Sequence, residues 1–329
     1  MDRLTGQAPS GHPAPRTPVL VDVAVLAAWQ GRSRPAAAQN EQDGQAGQDR
    51  PEGPGRGFVA AAPAPAADTL KVLDVRWTAL GAVDGHEEYL RGHVPGAVYV
   101  SMNSQLAGHD GPREGRHPLP HPARFGDTVR MLGLNDEDTV VVYDDAHGTS
   151  AARAWWLLRH AGMESVYLLD GGLSAWRQAN LPLQAGDVIP RPGTARTTWG
   201  QMPVLGLQDA AELPDQGLLL DARTAERYRG ESEPLDPRAG HIPGAVSAPT
   251  LDNVDHTGRF RPADELRERF RQLGAHRAGA VGAYCGSGVS AAHEIAALHV
   301  AGIPAALYPG SWSAWSNTPG RPVATGERP

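Results

Sequence analysis

Short apolar runs alternate with longer segments of helical periodicity along most of the chain. The runs at 72–73, 139–143 and 165–169 predict strands, whereas the patterns at 122–132 and 150–160 predict helices. Alternation of this kind is typical of a parallel sheet that carries helices on both faces. We therefore predict an α/β fold, in which ligands bind beyond the carboxyl ends of the strands.

Two segments interrupt this alternation. Residues 32–68 are rich in Ala, Gln, Gly, Pro and Asp, and they separate a helical pattern at 23–30 from the strand at 72–73. Such a composition buries too little apolar surface to fold, so we predict a disordered surface insertion. Residues 183–203 are interrupted by prolines, and we predict that they form an interdomain linker.

The chain contains an internal repeat. Four segments recur in the same order at an offset of about 140–148 residues, which is far longer than the period of a solenoid. The matching pairs are 73–76 with 220–223, 91–98 with 239–246, 140–144 with 281–285, and 168–176 with 307–315. We therefore predict two tandem copies of one domain, at 18–182 and 204–325, each with a mainly parallel sheet and helices on both faces.

The bulk composition excludes several classes of protein. The formal net charge is −7 and no basic cluster stands out, which argues against a nucleic-acid partner. No stretch approaches the ~20 apolar residues of a membrane span, and the polar N-terminus lacks the apolar core of a signal peptide. A single cysteine excludes a disulfide framework and a multi-cysteine metal site, and we expect neither metal nor cofactor. We expect a cytoplasmic protein, because a free thiol stays reduced there.

That cysteine lies in a glycine-rich loop. Cys285 follows the apolar run 282–284, and the segment Gly-Ser-Gly-Val-Ser separates it from a helical pattern at 291–300. Backbone N–H groups in such a loop, at a helix N-terminus, stabilise an anion and favour a reactive thiolate. The alternative is a buried cysteine that acts as a small hydrophobic residue. The Gly-x-Gly spacing after the sulfur favours the reactive interpretation.

Several of these motifs have a known counterpart. The two Gly-His-(Val/Ile)-Pro-Gly-Ala segments, the terminal Gly-Ser-Trp-Ser-Ala-Trp and the Cys-Gly-Ser-Gly-Val-Ser loop together resemble the tandem-domain rhodanese family of sulfurtransferases. The resemblance covers roughly 18–30 and 69–325. It implies that Cys285 takes sulfane sulfur from a donor as a persulfide and passes it to an acceptor, in two half-reactions. The backbone N–H groups that would hold the persulfide anion belong to Gly286, Ser287, Gly288, Val289 and Ser290.

The first copy differs at the position of this cysteine. Asp144 stands where Cys285 stands in the second copy, and a carboxylate cannot carry sulfane sulfur. We therefore expect the N-terminal copy to be catalytically silent and to support the active site of its twin. Residues shared by both copies are interpreted as structural: His93, His241, Asp74, Asp221, Trp176 and Trp315. Trp312 replaces a leucine of the first copy and is a candidate wall of the pocket.

The loop composition also indicates a donor. It resembles family members that prefer 3-mercaptopyruvate, whereas thiosulfate-preferring members carry two cations in this loop, so thiosulfate is the alternative donor. The resemblance implies that Arg227 and Arg238 bind the donor carboxylate, because a guanidinium group binds a carboxylate in bidentate fashion. The alternative is a solvated charged loop with local ion pairs. The implied acceptors are thioredoxin, a small thiol or cyanide.

The resemblance further implies a proton relay from the loop serine, Ser287, to a histidine and an aspartate. His117 matches the histidine, and a histidine carries protons near neutral pH. The alternative is a loop histidine with a purely structural hydrogen bond. Asn103 stands where the family has an aspartate, and it cannot hold a negative charge. We therefore expect a relay that is weaker or differently arranged.

Two other functional classes fit the sequence less well. A cysteine phosphatase needs an arginine six residues after its cysteine, and this chain has Ala291 there. A non-catalytic sulfur carrier or binding module is a remote alternative, because the cysteine and its loop are intact.

Overall fold

The computed structural model describes residues 18–31, 64–66, 68–78, 84–109 and 111–329. The segment 32–68, for which we predicted disorder, lies almost entirely outside these residues. The strands of the described part are β1 Leu20–Val21, β2 Leu70–Asp74, β3 Val98–Tyr99, β4 Thr139–Tyr143, β5 Val166–Leu169, β6 Leu218–Asp221, β7 Val246–Ser247, β8 Val281–Tyr284 and β9 Ala306–Leu307. Its α-helices are α1 Val23–Trp29, α2 Gly85–Arg91, α3 Met102–Gln105, α4 Pro122–Met131, α5 Thr149–His160, α6 Gly172–Gln178, α7 Leu207–Gln216, α8 Ala225–Arg229, α9 Ala263–Gln272, α10 Ser290–Val300 and α11 Ser311–Asn317.

The strands form two sheets in which every pairing is parallel. The first sheet has the order β1-β5-β4-β2-β3, and the second has the order β7-β6-β8-β9. In each sheet the strand that precedes the repeated loop, β4 or β8, is an internal strand with neighbours on both sides. The predicted α/β fold with two similar units is therefore confirmed.

Both faces of each sheet are covered, which explains why the central strands are continuously apolar. In β4, Val140 and Val142 belong to one buried cluster with side chains of α4 and α5, whereas Val141 and Tyr143 belong to another with α1 and α6. In the second sheet, Leu219 packs with α7 and α11 on the outer face. The inner faces of both sheets share one core, in which α5 packs against α10. The two sheets therefore enclose a common layer of helices.

The residues that both copies share make the same contacts twice. The Asp74 carboxylate pairs with Arg76 at 2.8 Å, and the Asp221 carboxylate pairs with Arg223 at 2.5 Å. In each copy the repeated histidine is fully buried and stacks on a tyrosine, whose carbonyl lies 2.8–2.9 Å from the histidine Nδ1. These duplicated contacts agree with a structural role.

Backbone hydrogen bonds attach the segment 183–203 to the first unit. Its backbone donates from Gly193 to the Arg130 carbonyl at 2.7 Å and from Thr198 to the Ala161 carbonyl at 2.8 Å. It then delivers the chain to α7 and the second sheet. In the part of the chain that the structure describes, no helix combines the length and the apolar character needed to cross a membrane.

Candidate active site

Cys285 lies directly after β8, at the carboxyl end of a central strand, and α10 begins five residues later. Its side chain is 3% exposed. The Gly288 backbone N–H donates to the sulfur at an N···Sγ distance of 3.1 Å. This contact requires a sharp turn: Gly288 has φ +80°, and a β-carbon there would lie 2.5 Å from the Pro309 carbonyl oxygen. The second glycine after the sulfur therefore bends the loop around it.

The start of α11 fixes the other side of the loop. The Ser311 hydroxyl accepts the Cys285 N–H at 3.1 Å, and the Trp312 N–H donates to the Cys285 carbonyl at 2.9 Å. The Ser313 N–H donates to the Gly286 carbonyl at 2.8 Å. The terminal Gly-Ser-Trp-Ser-Ala-Trp motif thus supports the backbone that carries the thiol.

The equivalent loop of the first copy is closed around a carboxylate. Asp144 is fully buried and follows β4 as Cys285 follows β8. Its two oxygens accept four backbone N–H bonds of 2.8–2.9 Å, from Ala146, Gly148, Ser150 and Ala151. Burial raises the pKa of Asp144, and these N–H donors oppose that rise. A loop of this shape therefore cradles a negatively charged group at a helix N-terminus.

A buried arginine of the first copy reaches the cysteine loop. Arg153, on α5, is fully buried and donates to the Gly288 carbonyl at 3.3 Å. Its other donors bind carbonyl oxygens of the first copy, those of Leu106, His117 and Pro118. In the described part of the chain no carboxylate pairs with it. Burial lowers the pKa of Arg153 to about 10, and the negative charge of Cys285 opposes that change.

Ser287 and His117, which the sequence suggested as relay partners, are in contact. The Ser287 hydroxyl lies 2.8 Å from Nδ1 of His117. Burial, together with the charges of Arg153 and Arg116, lowers the pKa of His117 to about 4, so its ring is neutral near pH 7. A neutral ring that is protonated on Nε2 accepts a hydrogen bond from the serine through Nδ1. Trp77 packs edge-on against this ring at 5.1 Å between centroids.

The third member of the expected relay is not found. Asn103 lies exposed on α3, and the structure gives it no hydrogen bond to His117. Among the described residues, no carboxylate hydrogen-bonds to His117. Burial is the main reason why the neutral form of His117 is favoured, and the charges of Arg153 and Arg116 add to it.

Two guanidinium groups meet beside Gly286, the residue after the cysteine. A β-carbon on Gly286 would lie 3.0 Å from Nη2 of Arg116 and 3.3 Å from Nη1 of Arg227. Arg227 was expected here, and it pairs with Glu233 at 2.7 Å and with Asp236 at 3.4 Å. Arg116 comes from the first copy and also pairs with Asp236. The local ion pairs of the alternative interpretation therefore exist, and they lie at the loop.

Arg238, the second arginine that was expected to bind the donor, is engaged elsewhere. Its guanidinium group donates to four carbonyl oxygens around the C-terminal end of α11, those of Trp315, Ser316, Thr318 and Arg321. It therefore ends a helix, whose carbonyl groups need donors. Trp312 is fully buried, donates to the Arg238 carbonyl at 2.9 Å and packs under Arg223, so it belongs to the core rather than to an open pocket wall.

Sequence reasoning missed Arg116 and Arg153. Arg116 directly precedes His117, so the same segment carried its signal. Arg153 is the single charge in the otherwise uncharged run 149–158, and one charge on a buried helix usually has a specific partner. Neither signal reveals which loop the side chain reaches.

Comparison with known proteins identifies the family of this chain. Residues 61–179 and 207–318 match the rhodanese-like domain family. A Mycobacterium tuberculosis protein named as thiosulfate sulfurtransferase SseB is 46% identical over 266 residues, which cover 79% of this chain and 93% of the relative. A Pseudomonas aeruginosa protein named as a 3-mercaptopyruvate sulfurtransferase is 47% identical over 268 residues, covering 78% of this chain and 93% of the relative.

A solved structure has a similar fold. The crystal structure of SseA from Escherichia coli, described as a 3-mercaptopyruvate sulfotransferase, is similar with a TM-score of 0.67 at 34% identity, over 74% of this chain and 93% of that chain. Apart from β1, the strands of both sheets lie within the matched family segments. The chain therefore belongs to the rhodanese family, and it is a sulfurtransferase.

Proposed function

We propose that this sulfurtransferase takes sulfane sulfur from 3-mercaptopyruvate onto Cys285 as a persulfide and passes it to a thiol or to cyanide. The observation that carries the proposal is the contact of the Gly288 N–H with Sγ, in a loop whose own side chains are uncharged. Such a loop stabilises the anionic sulfur of both the thiolate and the persulfide.

The proposed transfer has two half-reactions. The Cys285 thiolate attacks the donor sulfur, an Sγ–S bond forms, and the bond between that sulfur and C3 of the donor breaks. The electron pair passes to C3 as the enolate of pyruvate, which takes the proton of the donor thiol, and the persulfide remains as an anion. An acceptor thiolate or cyanide then attacks the outer sulfur, and Cys285 leaves again as a thiolate.

Ser287 and His117 are proposed to assist the first half-reaction. The hydroxyl lies two residues after the sulfur and 2.8 Å from a histidine that is neutral near pH 7. It is therefore able to donate a hydrogen bond to the donor carbonyl, on which negative charge develops as the enolate forms. The neutral ring accepts or returns a proton through Nδ1, and it does so without a carboxylate partner among the described residues.

Arg227 is proposed to bind the donor carboxylate. Its guanidinium group lies beside Gly286, and its side chain is 19% exposed, which leaves it accessible to a small solute. Replacing Arg227 with alanine should therefore lower kcat/KM for 3-mercaptopyruvate. The expected loss of transition-state stabilisation is roughly 1.5–3 kcal/mol, the value of a charged hydrogen bond. An unchanged kcat/KM would locate the donor carboxylate elsewhere.

Thiosulfate is the second candidate donor. The relative from Mycobacterium tuberculosis is named for thiosulfate, and two guanidinium groups beside Gly286 are able to meet a dianion. Steady-state kinetics with both donors separate the candidates: we expect the larger kcat/KM for 3-mercaptopyruvate, and the reverse ratio would favour thiosulfate. Mass spectrometry of the donor-treated enzyme should find one added sulfur atom on Cys285, removable by cyanide and absent from Cys285→Ser.

A further inference from the structure

The persulfide chemistry leaves Arg116 unexplained, although this side chain of the silent copy lies at the active loop. Its backbone is fastened to the second copy: the Arg116 N–H donates to the Ser313 hydroxyl at 3.0 Å. The preceding Gly115 has φ +97°, and a β-carbon there would lie 2.7 Å from the Gly310 carbonyl oxygen. The segment therefore sits tightly against the start of α11, and it presents the Arg116 side chain to the loop.

Two of the three guanidinium nitrogens nearest to Gly286 have no hydrogen-bond acceptor among the described residues. Arg116 binds Asp236 through Nη1, and Arg227 binds Glu233 and Asp236 through Nε and Nη2. Nη2 of Arg116 and Nη1 of Arg227 lie 3.0 and 3.3 Å from the β-carbon position of Gly286. Among the described residues, neither of these two nitrogens donates to an acceptor.

The ion pairs orient the two guanidinium groups and leave both partly exposed to solvent. Asp236 bridges the two guanidinium groups, and its side chain is 1% exposed. The Arg116 and Arg227 side chains are 30% and 19% exposed, so a small anion is able to reach them. Each guanidinium group keeps N–H donors in its fixed plane after binding Asp236. The pair thus already binds one carboxylate across the two copies and has donors left for another.

We propose that Arg116 is a donor-binding residue, which together with Arg227 binds the carboxylate of a small 2-oxo acid at Gly286. This inference rests on the proposed donor chemistry and deepens it: the catalytically silent copy contributes half of the carboxylate site. The competing interpretation is that Arg116 only holds the two copies together through Asp236. The two interpretations predict different affinities for a small carboxylate ligand. Only the first predicts that this affinity falls when Arg116 is removed.

Pyruvate, which has the carboxylate but no transferable sulfur, is the probe for this site. Its binding is measured by titration calorimetry in the Cys285→Ser background, where no turnover occurs. We expect Arg116→Ala to weaken pyruvate binding by on the order of tenfold, since a charged hydrogen bond is lost. Arg116→Lys should retain part of the affinity. The matched control is Arg113→Ala, because Arg113 is exposed on the neighbouring 3₁₀ turn at Pro112–Glu114, and it should leave the affinity unchanged.

Methyl pyruvate, which has no negative charge, separates carboxylate binding from general damage. An unchanged pyruvate affinity in Arg116→Ala, or an equal loss for pyruvate and methyl pyruvate, would overturn the proposal. If Arg116→Ala does not fold, the Cys285→Ser protein that keeps both arginines still tests the proposal. Equal affinities of this protein for pyruvate and methyl pyruvate would exclude a carboxylate site. Failure of the proposed donor is seen separately, as a wild-type enzyme that binds pyruvate but transfers sulfur only from thiosulfate.

Discussion

The loops after β4 and β8 occupy equivalent positions in two copies of one fold, yet they hold different groups. The first closes four backbone N–H groups around its own carboxylate, Asp144, whereas the second directs the Gly288 N–H to the sulfur of Cys285. Because these N–H donors already bind the Asp144 carboxylate, the first loop does not offer them to a substrate atom. In the proposed mechanism, a loop that holds a thiol accepts one further sulfur atom, as a persulfide.

The copies also differ in what the opposite copy brings to each loop. The cysteine loop is met by Arg116, His117 and Arg153 of the first copy. The Asp144 loop is met at Gly148 by the rings of His293 and Phe260, and burial lowers the pKa of His293 to about 3, which keeps that ring neutral. The same type of loop is therefore a candidate active site in one copy and part of a packed core in the other, and the partner side chains make the difference.

Exchanging Asp144 and Cys285 breaks this comparison most strongly. Cys285→Asp places the silent residue in the active loop, and we expect complete loss of sulfur transfer with the fold retained, because a carboxylate cannot carry sulfur. Transfer to cyanide is measured as thiocyanate, and folding by thermal unfolding. The converse double variant, Asp144→Cys with Cys285→Ser, should also be inactive, because the arginines and His117 lie at the other loop. Measurable transfer by this double variant would show that the loop alone suffices.

Removing the buried guanidinium group of Arg153 tests the support that the first copy gives to the cysteine loop. Arg153→Met leaves carbonyl oxygens of both copies without donors, so we expect the free energy of unfolding to fall by about 1–3 kcal/mol. Urea denaturation measures this change. Arg159→Met is the control, since Arg159 lies on the same helix and binds a single carbonyl at the surface. Equal stability of the two variants would contradict the interpretation.

The pH dependence of stability sharpens the role of His117. Its pKa is lowered from 6.5 to about 4 in the folded protein, so the unfolded chain binds the proton more readily between these values. The contribution of His117 to stability is therefore fully present above pH 6.5 and is lost as the pH falls towards 4. Chemical denaturation across this range should find a smaller decrease for His117→Gln than for the wild type. An identical decrease would indicate that His117 titrates normally.

The smallest expected effect comes from Asp236, the carboxylate that bridges Arg116 and Arg227. Asp236→Asn removes one negative charge between Arg116 and Arg227, and KM for an anionic donor should fall by about two- to fivefold, the size of a partly screened ion pair. Glu231→Gln is the control, because Glu231 pairs with Arg229 at the exposed end of the same segment. A rise in KM would show that Asp236 mainly orients the two guanidinium groups.

Much of the fold was predictable from local pattern. The apolar run at 139–143 coincides with β4, and the predicted helices at 122–132 and 150–160 differ from α4 and α5 by one residue at an end. These predictions succeed because periodicity reports burial, and burial on both faces requires a continuous apolar strand. The insertion at 32–68 stays a prediction, since it lies almost entirely outside the described residues.

The candidate site was predictable only where residues lie close to a motif. Ser287 is in contact with His117, as the relay required, and Arg227 lies at the loop. Arg238 was chosen by its position in a charged segment, yet its guanidinium group ends α11. Position along a loop does not fix the direction of a long side chain, and a helix end that lacks donors competes for it.

The sequence by itself determined that two copies of an α/β unit exist, that one carries Asp144 and the other Cys285, and that the thiol follows a central strand in a glycine turn. Those properties are local, because they depend on spacing and on residues adjacent in the chain. Only the tertiary structure decided that Arg116 and Arg153 of the first copy reach the cysteine loop of the second copy. For Arg153 that outcome depends on the packing of α5 against α10, and for Arg116 it depends on the contact of residues 115–116 with the start of α11. Both contacts join segments more than a hundred residues apart.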